Sequence, residues 1–228
     1  MNFSVKALRD ASPIMIAYFP IAMTFGVISV NSGLSWFITF LISAVVYAGG
    51  AQFMLVSLAV TGSSPLSTIV TVLLVNLRHF LYGTTLGPSF IPWSERMKLL
   101  YAFGLTDEVF AMSSSRIEQS TPIPKYQLTF AFACYTSWIA GTAVGALIGS
   151  VVPTEISTIL NFALPALFLA LILIGQRSTS HLSAAICGAV VAFLANILHW
   201  GSIGIVAGAI LGATLGMLLQ TKMNKSRQ

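Results

Sequence analysis

Four residues able to carry charge or a proton, Arg78, His79, Asp107 and Glu108, stand inside otherwise apolar stretches of this 228-residue chain. An ionised side chain at the bilayer centre costs about 2.5 to 3.5 kcal/mol on insertion scales, so such residues mark ion pairs, proton relays or substrate pathways. Arg78 therefore needs a counter-charge, and Asp107 and Glu108 are the acids within an apolar span that can supply it. A pair of this kind either serves transport or fixes helix register without touching a substrate. Asn76 and His79, at i and i+3, share one helix face, where the imidazole either exchanges a proton or is hydrogen-bonded packing. Gly49-Gly50 and Pro165 interrupt two apolar runs, and Gln52 follows the glycine pair by two residues. A broken helix exposes backbone N–H and C=O groups at membrane depth, tolerable only where protein, water or substrate satisfies them. An amino acid carries both charges that such a break satisfies: its carboxylate suits the positive N-terminal end of a half-helix, and its ammonium suits free carbonyls. The same glycines equally allow close helix packing.

Hydrolytic chemistry has no footing here. Neither H-E-x-x-H nor G-x-S-x-G occurs, and the adjacent Asp107 and Glu108 diverge by about 100 degrees on a helix. Cys134 and Cys187 fall in apolar runs and imply neither a disulfide nor a metal site. No catalytic residue, metal or cofactor is expected.

The elements that must position these residues are membrane spans. Hydrophobic residues make up 56% of the chain and charged residues 7%, against roughly 25% charged in soluble domains, too few to cover a water-facing surface. No Asp, Glu, Lys or Arg occurs from Ala11 to Leu77, Tyr126 to Thr154, Ile156 to Gln176, or Ser178 to Thr221. Each gap holds at least one helix of about 20 residues. The expected fold is all-α, a polytopic bundle with spans near 13–31, 36–61, 66–87, 98–115, 127–150, 157–175, 181–198 and 201–220. Eight crossings put Lys6, Arg9, Arg116, Lys125, Arg177, Lys222, Lys225 and Arg227 in the cytoplasm and Arg96 and Lys98 outside, as the positive-inside rule requires. The fourth span is the weak one, because Thr106, Asp107 and Glu108 lie near its middle; a broken or re-entrant segment there leaves seven crossings. The basic termini read as membrane anchors, not as a nucleic-acid surface, and the start of the chain as a retained first span without a removable signal.

One integral membrane domain, 1–228, is expected, with repeat halves 11–115 and 126–220. Ala51-Gln-Phe-Met parallels Ala166-Leu-Phe-Leu, and Asn76-Leu-Arg-His79 parallels Asn196-Ile-Leu-His199, each Asn-x-x-His closing an apolar stretch. Interruptions at matched positions, Gly49-Gly50 and Pro165, point to a binding site. Gly141, Gly145 and Gly149, and likewise Gly204, Gly208, Gly212 and Gly216, repeat every four residues and bring backbones close, either sealing the halves together or docking another membrane chain.

Three co-linear stretches, Tyr47-Ala-Gly-Gly-Ala-Gln-Phe53, Val75-Asn-Leu-Arg-His-Phe-Leu-Tyr-Gly83 and Leu105-Thr-Asp-Glu-Val-Phe-Ala111, resemble the AzlC family. The resemblance runs over nearly the whole chain, with one departure: many members have Ser at Gly49 or Gly50. It implies the large subunit of a branched-chain amino-acid exporter in the bacterial inner membrane, working with a small hydrophobic AzlD-type subunit. With no Walker motif present, the implied energy source is a proton or ion gradient. A channel or a non-transporting scaffold is the alternative. The expected pathway residues are Gly49, Gly50, Gln52, Asn76 and Pro165; the expected coupling or ion-pair residues are Arg78, His79, Asp107 and Glu108. The expected partners are the small subunit, branched-chain amino acids and the lipid bilayer, with no nucleic acid.

Overall fold

The computed structural model describes residues 3–117, 121–153, 162, 179–198 and 201–225. The span expected near 157–175, with its Pro165, lies outside them apart from Phe162, as do His199 and Trp200 of the second Asn-x-x-His. All regular structure among the described residues is helical, giving an all-α membrane helix bundle. The elements are α1 (Phe3–Asn31), α2 (Trp36–Val45), α3 (Gly49–Val60), α4 (Pro65–Leu86), α5 (Glu95–Phe103), α6 (Asp107–Ile117), α7 (Pro124–Ile148), α8 (Thr179–Ile197) and α9 (Gly201–Lys225), with a 3-10 turn at Gly87–Phe90. Among the described residues three helices are long and apolar enough to cross a membrane: Phe3–Asn31, Pro65–Phe90 and Pro124–Ile148.

The chain divides into two compact units, Met1–Leu164 and Pro165–Gln228. In the first, α1 and α7 form the central pair. Small residues permit it: a Cβ on Gly26 would lie 2.5 Å from backbone atoms of Thr142 and Ala146, and one on Gly141 or Gly145 would overlap the carbonyls of Phe19 or Met23. In the second unit Gly204, Gly208, Gly212 and Gly216 face Ala195, Gly188, Ala184 and Ser180 of α8 in the same way. Each glycine strip therefore joins a helix to a neighbour in its own unit. α7, which opens the expected second half, lies along α1 in the first unit.

Two expected spans are split. The run 36–61 breaks at residues 46–48, and the run 98–115 breaks at 104–106, so the fourth span is the interrupted version of the two expected. At 1.5 Å per residue no half is longer than about 18 Å, so none crosses a hydrocarbon core of about 30 Å by itself. The second break has local causes. Gly104 ends α5, and Thr106 starts α6 by accepting a hydrogen bond from Val109 N (3.3 Å), with Asp107 and Glu108 in the positive first turn.

α1 begins ten residues before the expected 13, carrying Pro13 and Pro20 inside it. Its early turns are held by packing rather than by apolar length. Ala7 and Ala11 are fully buried, and Asp10 accepts from Arg116 of α6 and from Tyr126 of α7 (2.8 Å). That cluster brings the early turns of α1, the end of α6 and the start of α7 together at one end of the first unit. α4 also continues past Asn76 and His79 to Leu86, which places the first Asn-x-x-His in mid-helix.

Candidate functional site

Both breaks meet on the α1–α7 pair. At the first, Gln52 is fully buried in the opening turn of α3, and its amide donates back to the carbonyl of Val46 and, at 3.5 Å, to that of Ser43. Its Oε1 accepts from Trp138 Nε1 of α7 (3.1 Å), while Tyr135 donates to the carbonyl of Ala44 (3.0 Å). These carbonyls, freed where α2 stops, are thus satisfied by protein donors, Ala48 N (2.7 Å to the Val46 carbonyl) among them, and Gln52 ties the break to α7. Gly49 allows a close approach: a Cβ there would sit 2.7 Å from the outer edge of the Trp138 ring, which would have to shift. The N-cap residue Ala48 offers no side-chain cap to α3. Tyr47, inside the break, packs edge-on against Tyr135 (5.0 Å), with its hydroxyl buried and without a partner.

At the second break the two adjacent acids part, as their helical spacing requires. Asp107 Oδ2 takes Arg78 Nη1 at 2.5 Å, and its Oδ1 accepts from Tyr82. Glu108 Oε2 instead accepts from Tyr18 of α1 (2.5 Å), whose hydroxyl also lies 2.6 Å from Thr106 Oγ1. Of the two acids offered to Arg78, Asp107 is the one paired, and Glu108 forms no salt bridge among the described residues. Tyr18 packs edge-on against Trp138, ring centroids 5.2 Å apart. One Tyr–Trp contact therefore bridges Glu108 at one break to Gln52 at the other.

α4 supplies the outer wall. Arg78 and Tyr82, four residues apart, present one face to Asp107. The side chains of Arg78 and Asp107 keep about a quarter of their surface exposed (24% and 27%), and Arg78 Nε is buried with no partner. His79 Nδ1 lies 3.2 Å from the Asn76 carbonyl, and its ring packs at 5.3 Å from Tyr82. Asn76 Oδ1 is a second buried, unpartnered atom on this helix.

Tyr18, Trp138, Tyr82 and Thr106 are the residues that sequence reasoning missed. Aromatic residues in apolar spans resemble packing, and nothing in their spacing marks them. Thr106 had a readable signal, since Gly104-Leu-Thr-Asp-Glu108 has the form of a helix stop followed by a capped start. Pro165 lies outside the described residues.

The family model described as AzlC protein matches residues 13–152, which hold both breaks and both acids. The chain belongs to the AzlC family. Relatives include an uncharacterized membrane protein of Archaeoglobus fulgidus, 36% identical with 92% of each chain covered. The inner membrane protein YgaZ of Escherichia coli is 32% identical, with 94% of this chain and 89% of the relative covered. The branched-chain amino acid transport protein AzlC of Bacillus subtilis is 24% identical, covering 93% and 84%. No solved structure matches. The chain is a membrane protein of a family with a transport protein among its members, and the three motif stretches lie at or beside the two breaks described above.

Proposed function

We propose that this chain is the large subunit of a gradient-driven exporter of branched-chain or similar hydrophobic amino acids. It sits in the bacterial inner membrane as a multi-pass protein and works with a small hydrophobic AzlD-type subunit. The observation that carries this reading is the convergence of two interrupted spans on Tyr18 and Trp138, with a part-exposed Arg78–Asp107 pair alongside. Interrupted spans meeting around charge are what a site at membrane depth requires. Gly49, Gly50, Gln52, Asn76 and Pro165 belong to the pathway in this reading, and Arg78, His79, Asp107 and Glu108 to coupling. The named relative from Bacillus subtilis supports the substrate class.

Within the site the two acids divide the work. Asp107, tied to a guanidinium, holds a fixed charge pair; Glu108, whose side chain accepts from the Tyr18 hydroxyl and forms no salt bridge among the described residues, gains and loses a proton as the site opens to either side. His79 is the second titratable group facing the break.

The test is counterflow of labelled leucine in proteoliposomes containing this chain and its small partner. Leucine inside the vesicles should accelerate entry of label, and an imposed pH difference should drive accumulation. Glu108→Gln should retain counterflow and lose the pH-driven component, and His79→Gln should separate the two titratable groups. Entry without trans-stimulation identifies a channel and ends the transporter reading. Deletion of the gene should raise intracellular branched-chain amino acids in cells fed the corresponding dipeptides; unchanged pools would remove export.

A further inference from the structure

A cavity of about 190 Å³ lies between α4 and α5, walled by Tyr82, Gly83, Leu86, Phe90, Tyr101 and Leu105. Its wall is apolar because the polar ends of its residues are engaged elsewhere. The Tyr82 hydroxyl donates to Asp107, the Tyr101 hydroxyl lies 2.5 Å from Ser113 Oγ, and Lys98, which also borders the cavity, bonds Glu95 at 2.8 Å. The cavity adjoins the charge pair. Arg78, Tyr82 and Leu86 follow at intervals of four on one face of α4, about 6 Å apart along the axis, and Leu105 stands two residues before Asp107 in the second break. Tyr82 belongs to both features: its ring lines the cavity and its hydroxyl holds Asp107.

We infer that this cavity is the side-chain pocket for a zwitterionic amino acid with an apolar side chain, the α-carboxylate on Arg78 and the α-ammonium on Asp107. The inference rests on the reading that the Arg78–Asp107 pair lies on the transport pathway. Charge complementarity supports it, because a zwitterion carries a counter-charge for each member of the pair, and Arg78 Nε is a buried donor with no partner. Size supports it too. An apolar cavity of about 150 Å³ holds a benzene-sized hydrocarbon, so 190 Å³ admits a four-carbon branched or thioether side chain. Selectivity then follows from the walls: Tyr82, Leu86, Phe90 and Leu105 contact the side chain and exclude polar or much larger groups, since a pocket without polar partners leaves a buried polar group unsatisfied.

Gly83 gives a clean probe. A Cβ there meets nothing within 4 Å, so Gly83→Leu starts its side chain in open space at the cavity wall. Ala102 borders the cavity from α5 and gives a second filling variant, Ala102→Leu. Thr84→Leu, on the exposed part of α4 away from the cavity, is the control. Counterflow of alanine, valine, leucine and methionine is measured for each in proteoliposomes with the small subunit. Both filling variants should lower the leucine-to-alanine ratio at least tenfold, through KM, with the control unchanged. A ratio within twofold of wild type in both filling variants overturns the pocket while leaving transport standing; absence of counterflow in the wild type defeats the transport reading itself. A binding measurement covers the case of a filling variant that carries no substrate. With Cys134→Ala and Cys187→Ala in the background, Gly83→Cys should be labelled by a maleimide, and saturating leucine should slow labelling severalfold more than alanine does. Equal rates with both amino acids, as when a lipid chain fills the cavity, overturn the inference.

Discussion

At the scale of single residues, the Arg78–Asp107 pair and the Gln52 amide invite opposite kinds of substitution. Exposed ion pairs contribute about 1 kcal/mol or less, whereas removing one partner of a buried pair costs about 3 to 5 kcal/mol. With about a quarter of each side chain exposed, Arg78→Gln should fall between these limits, near 2 kcal/mol, read as a lowered unfolding midpoint in detergent. Adding Asp107→Asn should recover stability, since no lone charge remains, and leave transport lost because the pair also serves the substrate. Recovery of transport in the double variant would make the pair architectural. Gln52→Leu tests a different quantity. It removes the acceptor of the Trp138 indole N–H, while the Val46 carbonyl keeps the Ala48 N–H (2.7 Å), so one buried donor is left unsatisfied at about 1 to 3 kcal/mol. Thermal stability should therefore fall by about as much for Gln52→Leu as for Arg78→Gln; an unchanged midpoint would mean that the break has no need of the amide.

Among elements, the contact of α1 with α7 is set by backbones in touch, and its sensitivity is confined to the glycines that permit it. Gly145→Val places a branched side chain where Met23 already has its main chain, so the two helices must separate. The loss should be at least the 1 to 3 kcal/mol typical of overpacking, seen as poor yield and a lowered melting midpoint. Gly83→Ala in α4 is the counterpart, with open space around the new methyl. It should be neutral or stabilising by about 0.5 to 1 kcal/mol, the ordinary gain of Ala over Gly in a helix. Equal behaviour of the two variants would remove the close-packing account of α1 and α7. The broken pairs add a second lesson at this scale. Halves of 9 to 12 residues are too short to cross alone, and each junction frees backbone groups that neighbouring side chains take up.

For the molecule as a whole, the distribution of basic residues and the cluster at one end of the first unit agree. Asp10, Arg116 and Tyr126 are bonded together, so Lys6, Arg9, Arg116 and Lys125 gather on one side, the cytoplasmic one under the positive-inside rule. A reporter fused after Gln228 should be cytoplasmic, and one inserted between Pro88 and Ser94 periplasmic. A periplasmic signal at the C-terminus would require an odd number of crossings and demote α5 and α6 to a re-entrant pair.

What the sequence by itself determined follows from chemistry that acts locally. Charge-free runs longer than 20 residues leave a chain no water-soluble option, so the helical membrane class was legible in composition and gaps. The acids at 107 and 108 needed a cation at membrane depth and Arg78 was at hand; an interruption of the 36–61 run was legible at Gly49-Gly50, although the chain breaks at residues 46–48 and the two glycines open α3. The early turns of α1 were not legible, because Asp10 looks like a poor membrane residue until Arg116 and Tyr126 close on it from more than 100 positions away. Nor was the choice of Asp107 over Glu108, since neighbours on a helix point about 100 degrees apart and only the placement of α1 and α4 decides which meets arginine and which meets tyrosine. Tyr18 and Trp138 read as ordinary apolar filling for the same reason: their hydroxyl and indole find partners 90 and 86 residues distant, and hydrogen bonds at that separation exist only once the helices have packed.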